Sequence, residues 1–106
     1  MAADTAVVRV GPAGWSYEDW QGIVYPPGMP RQLHPLEYLS RYFDTVEVNA
    51  SYYRPFPPGN AVHWVSLLDG NPGFKFTAKL YKAFTHERES WPGQPDIDAV
   101  RAGLDV

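Results

Sequence analysis

Glu47 and Asn49 stand two residues apart in Asp44-Thr45-Val46-Glu47-Val48-Asn49. Successive side chains of an extended segment point to opposite faces, so a carboxylate and an amide share one side while Val46 and Val48 share the other. Lys79 ends a later alternating run, and His86 follows in the loop after it. A carboxylate that takes a proton, with an ammonium or imidazole that steadies the charge left behind, can perform general acid–base chemistry on a hydroxylated or carbonyl substrate. Glu47, Lys79 and His86 are therefore the catalytic candidates, Glu47 as the base. The competing reading is a structural Arg9–Glu47–Lys79 ion network that satisfies a shared interior, or simple solvent exposure of all three charges.

Asn49, Tyr53 and Arg54 lie at and just past the end of the same segment, and Trp15 and Tyr17 lie in the first loop. These are the substrate-binding candidates, because aromatic rings stack on a sugar ring or base and a guanidinium clamps an anionic group. Against this, loop aromatics also build satellite cores, and Arg54 equally suits an ordinary ion pair with a neighbouring carboxylate. His86 and Glu47 are the pair that could contribute to a metal site, but three histidines without a ligand-spaced cluster give that reading little weight, so no metal ligand is assigned and the cofactor is left unknown. Gly11-Pro12-Ala13-Gly14 lacks the spacing of a phosphate loop.

The elements that must position these groups are legible as alternating periods. Thr5 to Gly11 is a β-branched run that Gly11-Pro12 closes, which predicts a first strand over residues 5–11. The long connection after it carries Trp15, Tyr17, Trp20 and Tyr25, with Ser16 placed to cap a turn that Gly22 ends. Pro35, Leu36, Leu39 and Phe43 predict a helix over 35–43. A strand over 45–49 follows. Asn60 as N-cap, with Ala61, Trp64, Val65 and Leu68, predicts a helix over 60–69. Phe74, Phe76 and Ala78 alternate with Lys75, Thr77 and Lys79 in a strand over 74–79, and Asp96 as N-cap begins a helix over 96–104. Strand, helix, strand, helix, strand, helix is the order of a parallel α/β sheet with right-handed crossovers. Such a sheet is covered on both faces, yet these helices cover one, so the chain reads as an incomplete unit.

Composition sets the remaining bounds. The 106 residues suit one small domain, 44% are hydrophobic and 15% aromatic, and eleven prolines punctuate the loops. A net charge of −3 gives no basic face, so no nucleic-acid partner is expected. No signal peptide or apolar run of membrane-spanning length is present, and the chain has no cysteine, so a cytoplasmic location without a membrane partner is the expectation. A small-molecule ligand is the partner that the polar candidates allow. The oligomeric state is left open.

Val10-Gly11-Pro12-Ala13-Gly14-Trp15-Ser16-Tyr17, then Trp20, Tyr25-Pro26, Tyr38 to Phe43, Val46 to Arg54, Trp64, Phe74-Lys75-Phe76, Lys79 and Thr85-His86 together resemble the YecE-like family, also called domain of unknown function seventy-two. That resemblance implies a TIM-type (β/α)8 barrel, of which this chain would be the N-terminal part with the first three βα units. Pro12-Ala13 departs from the small hydroxylated residues usual there. The family carries no firmly assigned activity, so the resemblance informs the fold more than the reaction. In a barrel, Arg9, Glu47 and Lys79 would project inward, with Asn49 and Lys79 near the C-terminal rim where active sites of that fold lie. The functional expectation is an enzyme acting on a small polar or phosphorylated metabolite by acid–base chemistry. The alternatives are a metal-dependent phosphodiesterase or nuclease-like barrel, and a non-catalytic binding module.

Overall fold

In the computed structural model, residues 6–87, 89 and 91–106 are described. Two strands, β1 (Thr45–Val48) and β2 (Lys75–Ala78), pair in parallel with Thr45 opposite Lys75, Val46 opposite Phe76, Glu47 opposite Thr77 and Val48 opposite Ala78. Three helices accompany them: α1 (Pro35–Leu39) before β1, α2 (Pro58–Leu67) in the crossover, and α3 (Gln94–Leu104) after β2. The chain is thus an α/β unit with a two-stranded parallel sheet. Among the described residues no helix is long and apolar enough to cross a membrane.

The period of two decides the layers. Val46 and Val48 are buried, while Thr45 and Glu47 are half-buried. Likewise Phe76 and Ala78 are half-buried, while Lys75 and Thr77 are exposed. The apolar face packs a core of Leu36 from α1, Val46 from β1, Leu68 just past α2 and Phe74 just before β2, with Trp15, Trp64, Leu67 and Phe76 against it. Each such side chain stabilises the fold by about 1.5–3 kcal/mol through area removed from water. Gly103 of α3 sits against the ring of Phe56, where a Cβ would come within 2.7 Å of it. Glycine there lets α3 close on the segment that leads into α2.

Residues 6–11 form no strand, which corrects the first element expected over 5–11; Thr5 lies outside the described residues. Contact with β1 is instead a single parallel bridge, Ala13 opposite Glu47, made by Glu47 N–H donating to Pro12 O at 3.0 Å and Gly14 N–H donating to Glu47 O at 2.8 Å. Upstream, Val10 N–H turns to the Asp44 carboxylate rather than to a neighbouring backbone. Val7, Val8 and Val10 are 73%, 80% and 65% exposed. A β-branched run gains from extended structure by packing on a pleated surface, and among the described residues none covers these three.

The helix starts also shift for physical reasons. Pro58 takes the first turn of α2, where its missing N–H costs nothing, so Asn60 lies inside the helix and does not cap it. Asp96 is the third residue of α3 and accepts from Gly93 N–H at 3.1 Å, the returning half of a capping box. α1 ends at Leu39, whose carbonyl collects the N–H groups of Tyr42 and Phe43 in a tightened turn. Its start is capped by His34, whose Nδ1 accepts from Leu36 N–H at 3.1 Å, while Glu37 reaches back toward the His34 N–H. Ser16 caps nothing; Tyr17 precedes the short turn Glu18–Trp20.

Two predictions arise here. Gly14 has φ +77°, and a Cβ added there would strike the Tyr17 phenol, whereas Gly28 has φ +75° with open space around it. Gly28→Ala should cost about 1–3 kcal/mol from backbone strain alone, and Gly14→Ala should lower the denaturant midpoint further because Tyr17 must also move. Second, burial, then the neighbouring His63, hold the His34 imidazole below its ordinary 6.5, with Glu37 pulling the other way. The unfolded chain therefore binds a proton first. Stability should be full above about pH 6.5 and fall as pH drops from there through the lower folded value. Protonated Nδ1 cannot accept the cap hydrogen bond, so His34→Asp should keep the helix start and shrink this loss between pH 7.5 and 5.5.

Candidate functional site

Trp15, Tyr17, Asn49, Tyr53, Lys79 and His86 gather at the C-terminal ends of β1 and β2, with Glu47 one step back within β1 and Arg54 apart from them. Ser51, buried in the turn Ala50–Tyr52 directly after β1, places its hydroxyl 3.0 Å from Val48 O and 2.7 Å from Lys79 O. That single proton is shared between the two strand ends, and Lys79 N–H donates to Val48 O at 3.1 Å, carrying the pairing one residue beyond β2. The backbone under the site is therefore fixed from both strands.

On the face away from the helices, Glu47 Oε1 lies 3.9 Å from Lys79 Nζ, with both side chains about two-fifths exposed. Arg9 does not join them. It pairs with Asp44 at 3.7 Å and donates to Gly73 O at 2.6 Å, at the opposite, N-terminal end of the strands. The expected three-membered ion network is thus two separate pairs, split because Arg9 precedes the bridge at Ala13 and meets the start of β1 rather than its middle.

Lys79 and His86 line one cleft of about 490 Å³ with Asn49, Tyr52, Tyr53, Leu80 and Thr85. His86 is held there by the turn Lys82–Phe84: its N–H donates to Lys82 O at 2.7 Å, its Nδ1 lies 2.7 Å from Thr85 Oγ1, and its ring meets the Tyr52 ring edge-on at 5.4 Å. Nε2 has no partner among the described residues.

Asn49 and Tyr53 are also walls of a second cleft, of about 440 Å³, completed by Trp15, Ser16, Tyr17 and Trp64 together with Gly14, Val48 and Ala50. Here the sequence candidates Trp15 and Tyr17 meet Asn49. Tyr17 donates to Ala13 O at 2.7 Å and accepts from Asn49 Nδ2 at 3.3 Å, lying across Gly14. Trp15 meets Trp64 edge-on at 5.2 Å. Tyr25 is fully buried and donates to Trp15 O at 2.6 Å, and burial pushes its phenol up to about 12. Rings then continue from Tyr17 through Trp20 and Tyr25 to Tyr38 of α1. The aromatic loop is accordingly both things weighed from sequence: Tyr25 and Trp20 brace it as a satellite core, and Trp15 and Tyr17 face a cleft.

Arg54 is exposed and lines neither cleft, so the geometry does not bring it to the other candidates. Sequence reasoning passed over Tyr52 and Thr85, the ring and hydroxyl that orient His86. Thr85 was readable from its place beside His86, whereas Tyr52 required knowing which tyrosine of Tyr52-Tyr53 turns toward the second strand. Among the described residues no group of three or more His, Asp or Glu side chains is placed to hold a metal ion.

Residues 9–105 match the family described as "Protein of unknown function DUF72". UPF0759 protein YunF of Bacillus subtilis (strain 168) is 32% identical over 87 residues, which cover 81% of this chain and 29% of YunF. The matched region thus spans less than a third of that relative. No solved structure matches the chain. Tyr17, Glu47, Asn49, Lys79 and His86 all fall within the matched span, and the chain belongs to the DUF72 family of proteins of unknown function.

Proposed function

We propose that the chain contributes to a cytoplasmic enzyme acting on a small polar metabolite by acid–base chemistry, with β1 and β2 as staves of a (β/α)8 barrel. The observation that carries the reading is the Glu47–Lys79 pair at 3.9 Å on the helix-free face, whose lysine lines a cleft together with His86. In this scheme Glu47 removes a proton from a carbon next to a carbonyl. The electron pair of the broken C–H bond moves onto the carbonyl oxygen, where Lys79 or His86 stabilises the enolate or donates a proton. The half-exposed Glu47 carboxyl exchanges its proton with water and then protonates carbon as the enolate collapses, while any proton lent to the oxygen returns to Lys79 or His86. The parallel strand–helix order and the DUF72 membership support the barrel, whose sites gather at the C-terminal ends of its strands.

Hydrogen exchange at carbon tests this directly. Small hydroxy-carbonyl compounds incubated with the chain in D2O should exchange the C–H next to the carbonyl, followed by proton NMR. Glu47→Gln should reduce exchange by about 100-fold or more while the melting temperature stays nearly unchanged, because a half-exposed ion pair contributes about 0–1 kcal/mol. Absence of exchange, or a large loss of stability in Glu47→Gln, would sink the reading in favour of a structural pair.

A further inference from the structure

The aromatic cleft beside the Glu47–Lys79 face has a composition of its own. Among the described residues none of those lining it carries a charge: Trp15, Tyr17, Tyr53 and Trp64 supply rings, and Ser16 and Asn49 supply polar groups. We propose that this cleft is a subsite for a neutral monosaccharide unit, so that the substrate of the acid–base reading is a sugar whose reacting carbon lies toward Lys79.

Three observations point the same way. First, the two clefts share Asn49 and Tyr53 as walls, so a molecule with its carbonyl beside Lys79 extends past them into the aromatic cleft. Second, Tyr53 is 64% exposed and touches Tyr52 edge-on at 5.2 Å, leaving most of its ring to solvent at the boundary of the two clefts. The weakly positive C–H bonds of a sugar face suit the negative face of such a ring. Third, the polar groups act in both senses. The Ser16 and Tyr53 hydroxyls each donate and accept, and Asn49, fixed by one N–H on Tyr17, has its second N–H and its carbonyl oxygen without a partner among the described residues. Sugar hydroxyls also donate and accept, so they pair with such groups in many orientations. A phosphate in this cleft would find no cation, and a volume of about 440 Å³ is of the size that holds small ligands.

Because the sugar assignment rests on the acid–base reading, the probe must be one that cannot react. Methyl α-D-glucoside has no free carbonyl, and binding is followed by ¹⁵N–¹H NMR of the chain. At roughly 10 mM, the glucoside should shift the Asn49 side-chain amide and the Trp15 indole N–H. Tyr53→Ala should weaken that binding about tenfold, and Tyr53→Phe, which keeps the stacking face, should retain most of it. The exposure of Tyr53 lets both variants fold. No shift with the glucoside, or a shift with adenosine in its place, overturns the assignment. Equal binding by wild type and Tyr53→Ala overturns it as well. If carbon exchange through Glu47 is observed and the glucoside is ignored, the sugar assignment alone falls. If the glucoside binds and no exchange occurs, the subsite stands and the acid–base reading falls.

Discussion

The register between β1 and β2 is the constraint on which the rest of the molecule depends. With Val46 facing Phe76 and Val48 facing Ala78, every apolar side chain of both strands falls on the helix side. Thr45, Glu47, Lys75 and Thr77 then share the other side. Because the side-chain period is two, a slip of one residue in either strand would drive a charge into the core of Leu36, Leu68 and Phe74 and strip that core of a partner. Glu47 and Lys79 meet because hydrophobic packing forbids the alternative register, and their own attraction is too weak to select it.

Ser51 converts that register into a fixed site. A buried hydroxyl needs a partner, and here it has the carbonyls of Val48 and Lys79, one from each strand end. The segment carrying Asn49, Tyr52 and Tyr53 is thereby tied to the segment that leads to His86. On the other flank, Gly14 lets the first loop pass close to β1, and the buried Tyr25 anchors that loop to α1 through Tyr38. Rigid elements thus hold both clefts, although most cleft residues belong to turns and loops.

What could be read from the residues follows the same physics. The alternations in 45–49 and 74–79 located both strands and put Glu47 on the face away from the helices, because burial on one side leaves a period in the sequence, and the parallel sense followed from the strand–helix–strand order. The helices were placed within a few residues, and their starts moved where Pro58 and the Asp96 capping box outweighed a single polar cap. The run Val7-Val8-Arg9-Val10 misled because β-branched residues record only a fitness for extended structure, and whether a partner lies alongside is a tertiary matter. The separation of Arg9 from Glu47 has the same origin, since it depends on where the first segment crosses β1. Arg54 carried no periodic signal, and its exposed position follows from the turn geometry after Tyr52.

The charges on the open face raise a question of cost. Fully buried, Glu47 and Lys79 would each lose several kcal/mol of hydration, and only close, well-bonded geometry would offset it. At 3.9 Å and about two-fifths exposed, they escape that penalty and gain little from each other. Neither group is locked to its partner, so each retains hydrogen-bonding capacity for a third molecule. On the proposed reading, a substrate seated between Lys79 and His86 would displace water from this face, and the same charges would then act in a medium that screens them less. An arrangement that contributes little to the resting fold is therefore compatible with a larger effect once a ligand covers it.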